Sequence, residues 1–519
     1  MRYTQKISRC GLRVADETRK PPPHSLKFFG YIVKSVLAIL ASSISLAPLL
    51  YTVVFRPLLL QKPLGRFEYA RGFIALWIGL NAFFWQALYA AQPLQTGSFI
   101  RDAEIEATLH DYITPLFRVA GLDPTALNLY VIVNPEVNAA ASTRYSIFMN
   151  TGLILESKTP EQVIGVLAHE TGHIAGGHIA RTEGMMGKAT LAAMAAMALG
   201  AAAAAAHNPD AAMASVLGGI SMAQGMVLHY SRGQEGTADS SGIRYLDDLK
   251  WSSRGLLEFM ETLAKQEFLS PDQQDLYMRS HPFSRDRVDF LRQHLKNSPY
   301  ANNRLPQDFY EKYDRMMAKL SAYLEPPGKT LLTYRSTDQS VKARYARAIA
   351  FYREGHFDDA IKQLDALIHD FPQDPYFHEI KGQFMFEKGR LDDALISYKH
   401  AIDLKPRAPL IRLAYAQTLL EKNHPELSEK AIRELHHVIK YENNNPFAWR
   451  LLATAYGRQG NLGMSALALA EEALTNDKPE IALTQAKRAQ YHLKTGPDKL
   501  RAADIQSLAE RLVKEKDRF

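Results

Sequence analysis

Cysteine is almost absent: Cys10 stands alone in 519 residues. An intrachain disulfide framework is thereby excluded, and so is a zinc site built on cysteine thiolates. No apolar run precedes Cys10, which argues against a lipoprotein-type signal. The chain also lacks a basic excess beyond residue 71. Residues 1–71 hold twelve Lys/Arg against three Asp/Glu, a net +9, while the whole chain is +7, so the remainder carries −2. A nucleic-acid partner therefore has no support. With 46% hydrophobic and 23% charged residues, the composition is globular rather than disordered or collagen-like.

The basic excess sits beside two apolar runs, 35–55 and 73–91. Each approaches the ~20 residues that a spanning helix needs, although Pro48 interrupts the first. Arg66 and Arg71 precede the second run, which ends in small residues at Tyr89-Ala90-Ala91. Basic flank, apolar core and small residues are in signal-peptide order. A two-helix hairpin would put Arg56, Lys62, Arg66 and Arg71 opposite the basic tail, against the positive-inside rule. The expectation is a signal peptide or membrane anchor over 66–91, with 1–65 an N-terminal extension.

Three zones follow: 97–300 with mixed helix and strand signals, a polar proline-containing connector over 301–338, and a helical zone over 340–519. The last zone repeats. Gly355 and Gly389 lie 34 apart, and each is followed five residues later by Ala360 or Ala394 and seventeen later by Pro372 or Pro406. That period, with small residues where helices cross, is the tetratricopeptide pattern. A third unit is stretched to 37 residues between Ala394 and Ala431, which places an insertion at Asn423-His424-Pro425. Stacked pairs of this kind form a concave platform for a peptide or partner.

The chemistry is concentrated in His169-Glu170-Thr171-Gly172-His173. Thr159, Pro160 and Gln162 read as a helix start with a capping box. Histidines at i and i+4 then share one face and can share a Zn²⁺, while Glu170 can act on a metal-bound water as general base. A catalytic zinc takes three protein ligands, and Glu235, in Glu235-Gly236-Thr237-Ala238-Asp239, is the natural third. Asp239, one turn on, can hold the outer nitrogen of a ligand histidine. His178 is nine residues from His169, which on a continuous helix turns it to the opposite face, so it reads as a structural or surface histidine. His281 could fill the open metal position or bind an oxyanion, and Arg287 could clamp a substrate carbonyl. The Ala/Met-rich stretch 188–227 reads as two apolar helices broken at His207-Asn208-Pro209, packed in protein or interfacial. Ser146, Ile147, Phe148, Met149 and Asn150 read as a strand serving as the edge that an extended substrate augments.

HETGH at 169–173, EGTAD at 235–239, SHP at 280–282 with Arg287, and IFMNTGLIL at 147–155 together resemble the HtpX-like zinc endopeptidase family. The resemblance covers about residues 97–519. It implies an α+β gluzincin-type metalloprotease domain, mostly helical with a small sheet, followed by an all-α tetratricopeptide solenoid. It implies His169, His173 and Glu235 as ligands of one Zn²⁺ per subunit, Glu170 as catalytic base, Asp239 behind a ligand, and His281 as a regulatory fourth ligand on a movable loop. Where the family often has Asn-Ala-Phe and a Gly-rich stretch, this chain has Asn138–Arg144. With repeats attached, the resemblance implies periplasmic quality control at or near the membrane surface. Its partners would be unfolded or misassembled outer-membrane proteins and the barrel-assembly machinery, bound through the repeats. Two rivals are a repeat-based chaperone with a silent or gated site, and a membrane-anchored protease facing the cytoplasm.

Overall fold

Asp102 opens the first described helix, Ala103–Val119, by accepting from the backbone N–H groups of Glu104 and Ile105 with one side-chain oxygen. Two of the four unpaired donors of a helix start are thereby satisfied. The structure is a computed structural model and describes residues 96–182, 184, 231–266, 274–281 and 283–516. The apolar runs before residue 96, the stretch 188–227 and Pro282 lie outside the described residues. No helix among the described residues is long and apolar enough to cross a membrane.

Among the described residues the fold is mostly helical with one small sheet, as expected. Its strands are β1 (Phe99–Ile100), β2 (Asn128–Ile132), β3 (Ala139–Ser142) and β4 (Ser146–Asn150), in the order β1-β2-β4-β3. β2 and β4 are parallel, and the outer pairs are antiparallel. Alternation puts Leu129, Val131, Ile147 and Met149 into the core. Phe99, Tyr130 and Phe148 form a ring ladder on the other face.

The sheet corrects one expectation. Strand 146–150 is not the edge: β4 is paired on both sides, and β3 is the outer strand. Thr143-Arg144-Tyr145 turns the chain back, with Arg144 and Tyr145 both left-handed at φ 56° and 54°. Asn128 secures the turn, its N–H donating to Tyr145 O and its side chain to Arg144 O. This hairpin makes Asn138–Arg144 part of the sheet and seats β4 inside it.

Helix Pro160–Ala175, the expected metal helix that carries His169 and His173, is buried along almost its whole length. At its start Gln162 accepts from the backbone N–H of Lys158, one residue before the N-cap, and Thr159 makes no side-chain cap bond, so the expected capping box is not formed. Glycines allow backbone-close packing: a Cβ at Gly165 would lie 2.7 Å from Leu256 N, and one at Gly172 would lie 2.8 Å from Ala238 O. Leu256 belongs to helix Arg254–Ala264 and Ala238 to the helix over 231–248.

The stretch 301–338 is not a plain connector. Its helix Gln307–Leu324 places Phe309, Tyr313, Met316 and Leu320 in the core around the sheet and Ala318 and Ala322 in the first repeat core. Their spacing is a helical apolar stripe wide enough to serve both sides. Lys319, 1% exposed, extends its Nζ to 2.6 Å from Asp102 Oδ2, 3.4 Å from Glu104 Oε2 and 3.8 Å from Glu379 Oε2. Arg315 bridges Glu104 and Asp374.

Five helix pairs follow, from Val341–Arg353 with Phe357–Asp370 to Pro479–His492 with Pro497–Lys516. The stretched unit carries its added residues directly after the turn, next to the expected place, in the first turn of a helix and not in the loop. Its turn keeps the usual form, with Asn423 left-handed at φ 50° where Gly355, Gly389 and Gly460 are left-handed. The added length lies in helix Pro425–Tyr441, which has 17 residues where Leu391–Leu404 has 14.

Candidate metal centre and active site

The metal helix brings His169 and His173 to one face with their Nε2 atoms 3.0 Å apart. The helix over 231–248 crosses it where Gly172 meets Ala238, and a Cβ at Gly242 would lie 3.2 Å from His169 N. Glu235 follows from that crossing: Oε2 lies 3.3 Å from His169 Nε2 and Oε1 lies 3.3 Å from His173 Nε2. The short helix Leu276–Ser280 delivers His281 from the third side. Its Nδ1 stands 3.4 Å from His169 Nε2 and 3.2 Å from Glu235 Oε2. His169, His173, Glu235 and His281 each offer one atom to a buried cluster spanning no more than 4.8 Å. A tetrahedron with bonds of about 2.0–2.1 Å has edges of about 3.3 Å. The measured separations therefore suit a four-coordinate metal, and a set of imidazoles and one carboxylate suits a borderline ion.

Electrostatics agree with that fit. Burial pushes the Glu235 carboxyl up, but hydrogen bonds from His169, His173 and His281 outweigh it and hold it far below the carboxylate range. Burial lowers His169, yet Asp239 and Glu235 hold it up at about 10. Around His169 the carboxylates thus stabilise positive charge, whereas burial, with His169 beside it, pushes the His173 imidazole down against the pull of Glu235.

Behind the cluster, Asp239 Oδ1 lies 2.9 Å from His169 Nδ1. Arg287 donates to Asp239 from Nε at 2.6 Å and from NH2 at 3.0 Å, and its NH1 lies 3.0 Å from Glu235 Oε2. This is not the carbonyl clamp read from the sequence. The guanidinium faces two carboxylates of the centre itself, because helix Arg285–Asn297 starts at Ser284 and aims its first turn inward.

Glu170 is fully buried. Its Oε2 accepts from Ala141 N at 2.8 Å, whereas Oε1 has no hydrogen-bond partner among the described residues and lies 3.5 Å from His281 Nε2. Edge strand β3 therefore touches the site twice, since His281 Nε2 is also 3.3 Å from Ala139 O. Tyr277, 1% exposed, stacks on His281 at 4.4 Å between centroids. Ser280 is exposed, and its hydroxyl caps its own helix at Leu276 O. The β3 amide and Tyr277 carry no sequence signal, since a backbone N–H has none and Tyr277 looks like any apolar helix residue.

His178 departs from its expected place. It is buried, and its Nδ1 lies 3.0 Å from His173 Nδ1. The helical extrapolation fails because the metal helix ends at Ala175 and Gly177 is left-handed at φ 61°. Burial, with His173 and Arg181 beside it, pushes the His178 imidazole down to about 4.

The model of Peptidase family M48 matches residues 101–295, and a tetratricopeptide repeat model matches residues 345–409. A beta-barrel assembly-enhancing protease of Yersinia pestis is 24% identical over 379 residues, 72% of this chain and 76% of the relative. The protein of that name in Escherichia coli (strain K12) is 23% identical over 417 residues, 79% of this chain and 83% of its own. Among solved structures, the TPR protein YrrB aligns with 34% of this chain and 91% of its own at 14% identity and a TM-score of 0.28, too slight a likeness to carry an argument. The chain is accordingly a metallopeptidase whose residues 101–295 match the model of Peptidase family M48 and whose residues 345–409 match a tetratricopeptide repeat model, similar to the beta-barrel assembly-enhancing proteases.

Proposed function

We propose that the chain is a zinc-dependent endopeptidase of the cell envelope, acting in the assembly and quality control of outer-membrane β-barrel proteins. The carrying observation is the four-atom cluster of His169, His173, Glu235 and His281 beside the buried carboxylate of Glu170. Three of the four are the lasting ligands in this reading, and His281 is the one that leaves. Bound there, zinc would supply Lewis-acid polarisation of the scissile carbonyl and a lowered water pKa. Glu170 takes the proton of the attacking water on Oε1 and passes it to the leaving amine. Its other oxygen is held by Ala141 N–H, so the base is oriented by the strand that an extended substrate would join. Asp239 fixes His169 with its proton on Nδ1.

One observation extends this into a gated reading. His281 reaches the metal cluster with Nδ1 and Ala139 O with Nε2. While it stays, the fourth position and one acceptor of the strand edge are both covered. The relatives' names support outer-membrane barrel proteins as clients, with the repeats binding client or assembly machinery in the periplasm.

The test uses purified full-length protein and an unfolded β-barrel protein. Zinc content is read by elemental analysis and cleavage by mass spectrometry. Glu170→Gln is expected to keep one zinc and lose cleavage; cleavage surviving in that variant would sink the assignment. His281→Ala is expected to keep zinc and cleave faster under the gated reading.

A further inference from the structure

His178 is 3% exposed and sits outside the reaction described above. We propose that it is a positioning residue that fixes the tautomer and ring plane of His173 and so tightens metal binding; the proposal rests on the metal reading. The two rings meet edge to face, with centroids 5.0 Å apart at 83°. His173 turns Nε2 toward His169 Nε2 and Glu235 Oε1. A neutral imidazole that gives Nε2 to a metal keeps its proton on Nδ1. The acceptor facing that proton is His178 Nδ1, 3.0 Å away. His178 is then neutral, with its own proton on Nε2.

The backbone is arranged for this contact. On an unbroken helix, nine residues after His169 turn a side chain about 180° away. Gly177, left-handed at φ 61°, breaks the helix and returns His178 to the ligand side. Gly176 leaves room for the ring: a Cβ there would stand 2.4 Å from His178 Nε2. The carbonyl of His178 accepts from Gln234 Nε2 at 2.9 Å and from Thr182 Oγ1 at 2.8 Å. Gln234 directly precedes Glu235, so the segment is tied to the helix that bears the third ligand. Each ligand histidine of the metal helix thus has a polar group within 3.0 Å of its outer nitrogen. For His169 it is a carboxylate held by Arg287, and for His173 it is a neutral imidazole.

The experiment measures zinc affinity of the full chain by competition with a chromophoric chelator, and records the visible spectrum of the cobalt-substituted protein. His178→Leu is expected to weaken zinc binding about 10- to 100-fold, the range for loss of an outer partner, and to shift the cobalt bands. His178→Asn puts an amide oxygen near the Nδ1 position and is expected to recover most of both. Gly176→Ala keeps every polar group but displaces the ring, so it is expected to weaken binding in the same direction; it serves if His178→Leu does not fold by circular dichroism. Wild-type affinity and an unchanged cobalt spectrum in His178→Leu and Gly176→Ala would overturn this proposal alone. Wild-type protein that takes up no zinc would overturn it together with the metal reading.

Discussion

The peptidase half and the repeat half join their helices by opposite means. In the first, His169, His173, Glu235, Asp239 and Arg287 are all buried and satisfied largely by one another. In the second, the crossings are alanines such as Ala360, Ala394, Ala431 and Ala482, and most ion pairs lie outside, as in Lys399–Asp403 and Arg433–Glu429, with Arg412–Glu434 a more buried exception. A buried charge that loses its partner keeps its desolvation penalty, whereas an exposed pair contributes about 0–1 kcal/mol. Damage should therefore spread through the metal centre and stay local in the repeats.

The largest contrast expected is between Arg287→Leu and Arg433→Leu. The first leaves Asp239 and Glu235 without a shared cation, at about 3–5 kcal/mol in chelator-treated protein. The second should change stability by less than about 0.5 kcal/mol. Urea unfolding measures both, and equal losses would break the comparison. A smaller contrast follows from adding one methyl group. Gly172→Ala meets the backbone of Ala238 at 2.8 Å, while Gly382→Ala meets the Tyr398 ring at 2.8 Å. Each is expected to cost about 1–3 kcal/mol. Only Gly172→Ala should also lower zinc content, because it moves the helix that carries Glu235.

The same contrast explains what was legible in the sequence. The i, i+4 histidines and the 34-residue period are local patterns, and each lies on the helices expected. Strand 146–150 was legible as a strand but not as an inner one, because order in a sheet depends on the left-handed turn at Arg144-Tyr145, two residue types that rarely advertise it. His178 was misplaced by a helical rule that Gly176-Gly177 breaks. The stretch 301–338 read as polar because the stripe Phe309, Tyr313, Met316, Leu320 is diluted by charges that serve the junction.

That junction is where the halves meet, and it offers a pH test. Burial raises the Glu379 carboxyl from an ordinary 4.5 to about 7, with Lys319 opposing the rise. Between those values the folded chain holds a proton that the unfolded chain has lost. Stability from this group is therefore present below about pH 4.5 and is lost as pH rises toward 7. Glu379→Gln mimics the protonated form. Its melting temperature is expected to match wild type at pH 5 and exceed it by a few degrees at pH 8.5. Parallel pH curves for the two proteins would show that Glu379 is ionised at the junction throughout.

The smallest effects belong to the repeat turns. Gly355, Gly389 and Gly460 are left-handed at φ 86°, 75° and 72°, and Asn423 takes φ 50° in the stretched unit. A side chain in that region costs about 1–2 kcal/mol, less for asparagine. Gly389→Ala has open space around its new Cβ, so its cost is one of backbone conformation alone, about 1 kcal/mol. Asn423→Gly removes a strain that the other turns avoid and should stabilise by a few tenths of a kcal/mol, partly offset by the greater freedom of glycine in the unfolded chain. Urea midpoints read both changes. Zinc content should not move in either, which separates the local mechanics of a repeat turn from the coupled charges of the metal centre.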